Sequence, residues 1–133
     1  MKPIVAVMCL AFLSNVAVAA HTRLEPTGPF LATAFAQTGI TRSGRPTQRG
    51  VVAADINVLP MGTRILVKNA GAYSGTYTVA DTGSKVRGRH IDIYMPNVRR
   101  ARQFGRKFVE VTVLRWGDGR MDASLRRRRW SSR

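Results

Sequence analysis

Arg89-His90-Ile91-Asp92-Ile93-Tyr94 is the stretch on which the fold turns. Successive side chains of a β-strand point to opposite faces of the sheet. Ile91 and Ile93 therefore share one face, and His90, Asp92 and Tyr94 share the other. With the isoleucines turned to a core, the second face is polar and available to line a groove. Aspartate is depleted in strands. An aspartate in mid-strand therefore asks for a chemical reason.

The neighbouring runs are of the same kind: short, rich in Val, Ile, Thr and Tyr, and divided by glycine. Strands are expected over Leu31–Gln37, Val51–Ala54, Arg64–Lys68, Thr76–Asp81, Arg89–Tyr94 and Phe108–Arg115. In the last, Val109, Val111 and Val113 fall on one face. Pro60-Met61-Gly62-Thr63 has turn chemistry. One short helix is expected, with Asn97 as its cap, Val98, Ala101 and Phe104 or Gly105 facing inward, and Gly105 as its stop. The fold class is mainly β.

A chain of 133 residues has room for one domain, and 44% hydrophobic residues suffice for a core. The formal charge is +15. Residues 1–20 have the order of an export signal: Lys2, an apolar run from Ile4 to Leu13, then small residues Val16-Ala17-Val18-Ala19-Ala20. That run is too short to span a bilayer, which takes about 20 apolar residues. No membrane-spanning segment is expected once the signal is removed. Lys2 would leave with it, so 21 basic residues stand against 7 acidic ones, a charge of +14. The single cysteine, Cys9, lies in the signal. The exported chain then has no disulfide, thiol nucleophile or cysteine zinc site. Residues 21–30 read as an irregular lead, 31–116 as the domain, and 117–133, with Arg126–Arg129, as a disordered basic tail.

The scarce carboxylates are the chemical candidates. Asp55, Asp81 and Asp92 sit in VAADI, TVADT and HIDIY. Burial and a nearby carboxylate both raise an aspartate's pKa and keep it protonated for use as a general acid. Each residue also has an ordinary role open to it. Asp55 before Ile56-Asn57 and Asp81 before Thr82-Gly83 suit turns. Asp92 suits an ion pair with Arg87 or Arg89, which would lower its pKa. Thr33, Phe35, Thr82, His90 and Tyr94 are the candidate substrate contacts. His90 shares a face with Asp92, and aromatic faces such as Phe35 and Tyr94 stack on sugar rings. With His21 and His90 the only histidines, no metal constellation is visible, and no phosphate-binding glycine motif occurs. No cofactor is expected.

Six stretches, in order, resemble the three-aspartate (3D) domain. They are Ala32-Thr33-Ala34-Phe35, Val52-Ala53-Ala54-Asp55, Leu59-Pro60-Met61-Gly62-Thr63, Val79-Ala80-Asp81-Thr82-Gly83, Arg89-His90-Ile91-Asp92-Ile93-Tyr94 and Phe104-Gly105-Arg106. The resemblance implies a six-stranded double-psi β-barrel with one or two short helices. It also implies kinship with membrane-bound lytic transglycosylase A, stationary-phase muralytic proteins, rare lipoprotein A and expansins. By that resemblance Asp92 is the single acid/base of a peptidoglycan lytic transglycosylase. Such an enzyme cleaves MurNAc–GlcNAc bonds and leaves 1,6-anhydro ends. Asp81 then supports Asp92, and Asp55 matches the family's first aspartate. The chain departs from the common pattern at Ile56, where proline is frequent, and at His90. It also lacks the inserted second domain of the large transglycosylases.

The expected partners are peptidoglycan glycan strands, with anionic wall polymers or a membrane surface for the basic tail. The chain is expected to be a monomer in the periplasm, envelope or extracellular space. Two other readings stand beside the enzyme: a non-catalytic, expansin-like glycan-binding barrel, and a basic polyanion-binding protein.

Overall fold

The computed structural model describes residues 28–120. The expected signal, most of the lead and the Arg126–Arg129 run lie outside them. Six strands form a closed barrel: β1 (Gly28–Phe35), β2 (Val51–Ala54), β3 (Arg64–Lys68), β4 (Gly75–Asp81), β5 (His90–Tyr94) and β6 (Lys107–Arg115). Their order round the barrel is β1-β5-β2-β4-β3-β6. The β1/β5 and β2/β4 pairs are parallel, and the other four are antiparallel. Closure leaves no unpaired sheet edge.

Alternation fills the interior. Phe30, Val52, Ile65, Val67, Val79, Ile91, Ile93, Val109 and Val111 are all buried in one cluster. The expected Ile91/Ile93 and Val109/Val111/Val113 faces are the inward faces. A single α-helix, α1 (Val98–Phe104), and a 3-10 turn at Gly71–Tyr73 complete the described elements. Both helix ends follow from the sequence. The Asn97 side chain accepts from Arg100 N–H, and Gly105 ends the helix at φ 63°. Ala101 and Phe104 are its buried residues, whereas Val98, expected to face inward, is exposed in the first turn.

The largest departures from expectation are at the two ends of the domain, while β4, β5 and β6 each start one residue away from the expected position. β1 starts at Gly28, inside the expected irregular lead, and stops at Phe35 instead of Gln37. Pro29 is tolerated there because the β1/β5 pairing begins only at Leu31, so no β5 ladder needs its missing N–H. At the other end, order continues past Trp116. Gly117 N–H donates to Thr63 Oγ1, and Gly119 N–H donates to the Met61 carbonyl. The first residues of the expected tail are therefore laid against the Pro60–Thr63 turn.

Candidate functional site

The outward face of β5 carries the site. Thr33 of β1 lies opposite Asp92 in the parallel β1/β5 register, and Phe35 lies opposite Tyr94. On the other side, Ala53 of β2 is the partner of Asp92. Ala53 is also the partner of Asp81 across β2/β4. The order across three strands is thus Asp81, Ala53, Asp92, with only a methyl group between the two acids.

Simple alternation would not give this arrangement. Val79 points into the core, so Ala80 should point out and Asp81 in. A register shift in β2/β4 prevents it: Val52 pairs with Val79, but Ala53 pairs with Asp81. Ala80 is the extra residue of a β-bulge, which re-aims the side chain after it. Asp81 consequently shares the outward face of Asp92.

The two carboxylates are held differently. Thr33 Oγ1–H donates to Asp92 Oδ1 at 2.9 Å. The same oxygen lies 2.8 Å from His90 Nε2. A hydroxyl has one proton. While that proton points to Asp92, His90 must supply the other hydrogen, from Nε2–H. The result is a line of hydrogen bonds from His90 through Thr33 to Asp92. Burial pushes the Asp92 carboxyl above the ordinary aspartate value. The Thr33 bond and the nearby His90 pull the other way, while the Asp81 charge adds to the rise. Asp81 Oδ1 is fixed by two backbone donors, Arg42 N–H and Thr82 N–H, both at 2.9 Å. Arg89 does not meet Asp92. Its guanidinium lies over the Phe30 ring, 5.3 Å from the centroid.

Beside the acids, Phe35 and Tyr94 pack with ring centroids 5.5 Å apart, tilted by 59°. Tyr94, Val51 and Ala80 form a small buried cluster with Phe35 against it. This pair is an apolar wall for the site. Thr82 lies just beyond Asp81, half-buried.

Asp55 is not brought to the other two. It follows β2, where Oδ1 accepts from Asn57 N–H and Oδ2 from Gly88 N–H, at 3.0 and 2.8 Å. These bonds tie the turn after β2 to the turn that feeds β5. The Gly88 bond, then the Asn57 bond, hold its carboxyl below the ordinary value. A carboxylate with a lowered folded pKa stabilises the fold above its unfolded pKa. That stability is lost as pH falls through the folded pKa. Asp55→Ala is therefore expected to lower the melting midpoint at neutral pH. The gap from wild type should close in acid, as followed by circular dichroism across a pH series. A gap that stays constant with pH would rule this account out.

The family model for the 3D domain matches residues 50–115. This chain carries a 3D domain. The matched range includes all three aspartates and His90, but not β1 with Thr33 and Phe35. Two curated proteins of Bacillus subtilis (strain 168) are similar to it. The cell wall-binding protein YocH is 38% identical over 77 residues, covering 58% of this chain and 25% of YocH. The putative cell wall shaping protein YabE is 35% identical over 78 residues, covering 58% of this chain and 18% of YabE. The chain thus spans a quarter or less of the length of these relatives. Among solved structures, E. coli MltA superposes with a TM-score of 0.50 at 22% identity, covering 59% of this chain and 28% of MltA. MltA with bound chitohexaose gives 0.50 at 20% identity, over 61% of this chain and 29% of MltA. These likenesses are of the fold.

Sequence reasoning missed the covering loop before β2. Ile40 and Pro46 form a β-bridge, Ser43 N–H donates to the Ala80 carbonyl, and Arg42 N–H reaches Asp81. Gly39, Gly44 and Pro46 are the turn residues that signal such a miniature hairpin. Among the described residues, no group of three or more His, Cys, Asp and Glu side chains is placed to hold a metal ion.

Proposed function

We propose that this chain is an exported peptidoglycan-cleaving protein of the lytic transglycosylase type, with Asp92 as its one acid/base. A single observation carries this: the half-buried Asp92 carboxyl, raised in pKa, bonded through Thr33 to His90 and facing the same side as Asp81. The names of the two similar proteins of the cell wall, and the chitohexaose bound in MltA, support a wall-glycan substrate.

The chemistry balances with one carboxyl group. Protonated Asp92 gives its proton to the glycosidic oxygen as the C1–O bond breaks, and the GlcNAc hydroxyl departs. The C6 hydroxyl of the MurNAc unit then bonds to C1. Its proton passes to the Asp92 carboxylate, which restores the starting acid. No water is consumed, so the second carboxylate of an ordinary glycosidase is not required. Burial, with the Asp81 charge adding to it, favours the protonated form of Asp92. Thr33 and His90 orient the carboxyl. Phe35 and Tyr94 flank the sugar, Thr82 borders it beside Asp81, and Asp55 fixes the turn leading into β5.

The direct test is to incubate the purified protein with peptidoglycan and analyse the products by mass spectrometry. 1,6-Anhydromuramyl ends are expected, and hydrolytic ends alone would exclude the mechanism. A non-catalytic wall-binding barrel is the second reading, favoured by the wall-binding name of one relative. Co-sedimentation with insoluble peptidoglycan without any released product would select it.

Thr33 offers a finer test. Its hydrogen bond favours the charged form of Asp92. Thr33→Val should raise the Asp92 pKa further. A general acid works only while protonated, so the alkaline limb of the pH–rate profile should move to higher pH. Thr33→Ser should restore the wild-type limb. A limb that stays in place or moves to lower pH would remove Thr33 from the mechanism.

A further inference from the structure

A cavity of about 280 Å³ opens where β2 begins and β5 ends. Arg49 and Gly50 before β2, Tyr77 of β4, Tyr94 of β5 and Arg100 of α1 are among its lining residues. Among the described residues, no acidic one lines it. Among the described residues, neither Arg49 nor Arg100 has an ion-pair partner, the ion pair there being Arg120 with Asp118. The cavity therefore gathers two uncompensated guanidinium groups and tyrosine rings.

Its position is set by strand register. Tyr94 is on the same face of β5 as Asp92, two residues further on. That separation is about 7 Å along a strand. The cavity thus adjoins the acid site and shares the Tyr94 wall with it. Neutral sugar hydroxyls do not call for two guanidinium groups, whereas a carboxylate does. In wall glycan the carboxylates belong to the peptide stem attached to each muramyl lactyl group.

We propose that this cavity receives the carboxylate-bearing peptide stem of a muramyl unit beside the one at Asp92. It would make stem-bearing strands the preferred ligand over bare glycan. The proposal rests on the glycan-strand reading above but not on catalysis. Arg49 and Arg100 would hold the carboxylate, and the tyrosine rings would cover the apolar part of the stem.

The test is equilibrium binding of soluble peptidoglycan strands, with stems and after amidase removal of the stems, the lactyl carboxylates that this exposes being capped as methylamides. An Asp92→Asn background prevents turnover. Stem-bearing strands should bind roughly five- to tenfold more tightly, the sum of two solvent-screened ion pairs. That ratio should shrink as salt is raised. In an added Arg49→Gln/Arg100→Gln pair it should fall toward one. An added Arg102→Gln/Arg106→Gln pair removes the same charge from exposed positions outside the cavity, and it should keep the ratio. The proposal fails if the parent shows no preference, if the cavity variant retains it, or if the control pair loses it equally. Anhydro ends from wild type without a stem preference would overturn the cavity alone. A cavity-dependent preference without anhydro ends would support the cavity and overturn the lyase. Binding to neither strand would overturn both.

Discussion

Replacing Asp92 with Asn is expected to cut the release of 1,6-anhydromuramyl ends by about 10²–10⁴-fold, the usual contribution of a positioned acid/base. The fold should not suffer. Asparagine keeps an oxygen where Thr33 Oγ1–H donates to Asp92, and it carries no charge to bury. The pH dependence gives the sign. The folded-state pKa of Asp92 is raised, chiefly by burial. Such a carboxyl costs nothing while both states are protonated. It destabilises the fold as pH climbs from the unfolded pKa to the folded one. The Asn variant should therefore melt at least as high as wild type at neutral pH, and their difference should vanish in acid. Wild-type rates of product release would exclude Asp92 as the acid. A large loss of melting midpoint would instead assign it a structural role.

Gly117→Ala is the substitution with the largest expected effect on stability. A Cβ at this position would lie 2.0 Å from the Met61 carbonyl oxygen and 2.4 Å from Thr63 N. Both are backbone atoms, so no side-chain rotation relieves the collision. Thr63 is fully buried, and its hydroxyl accepts from Gly117 N–H. The strand-end turn and the segment after β6 would have to part. A loss of about 2–3 kcal/mol is expected, lowering the melting midpoint by roughly 10 °C or more. Gly119→Ala is the comparison, since nothing lies within 4 Å of a Cβ there. Gly119 sits at φ 73°, where alanine is strained without any crowding, so an effect at Gly117 no larger than that at Gly119 would count against crowding as the cause.

The strands and the helix were legible because each follows from local rules. β5 alternates without interruption, so its buried and open faces could be assigned from six residues. Asn97 and Gly105 bracket α1 through cap and stop chemistry confined to a few positions. The features that escaped depend on distant partners. Thr33 and Asp92 stand 59 residues apart, and only the parallel β1/β5 register joins them. The Asp55 bond to Gly88 spans 33 residues. From sequence its neighbours suggested a turn, which the Asn57 bond forms, but nothing local pointed to Gly88. The ordered contact of Gly117 was hidden for the same reason. A glycine in a polar, arginine-rich stretch looks like a linker until the turn it lies against is known.

The bulge at Ala80 makes the site a matter of counting as well as of composition. One additional residue separates a chain that would bury Asp81 among valines from one that presents it beside Asp92. Two proteins could share every side chain named here and differ in whether their acids face the same way, if one lacked that single position in β4. For this barrel, an insertion or deletion of one residue between Val79 and Asp81 is a change of chemistry, whereas many substitutions at Ala80 would be changes of packing.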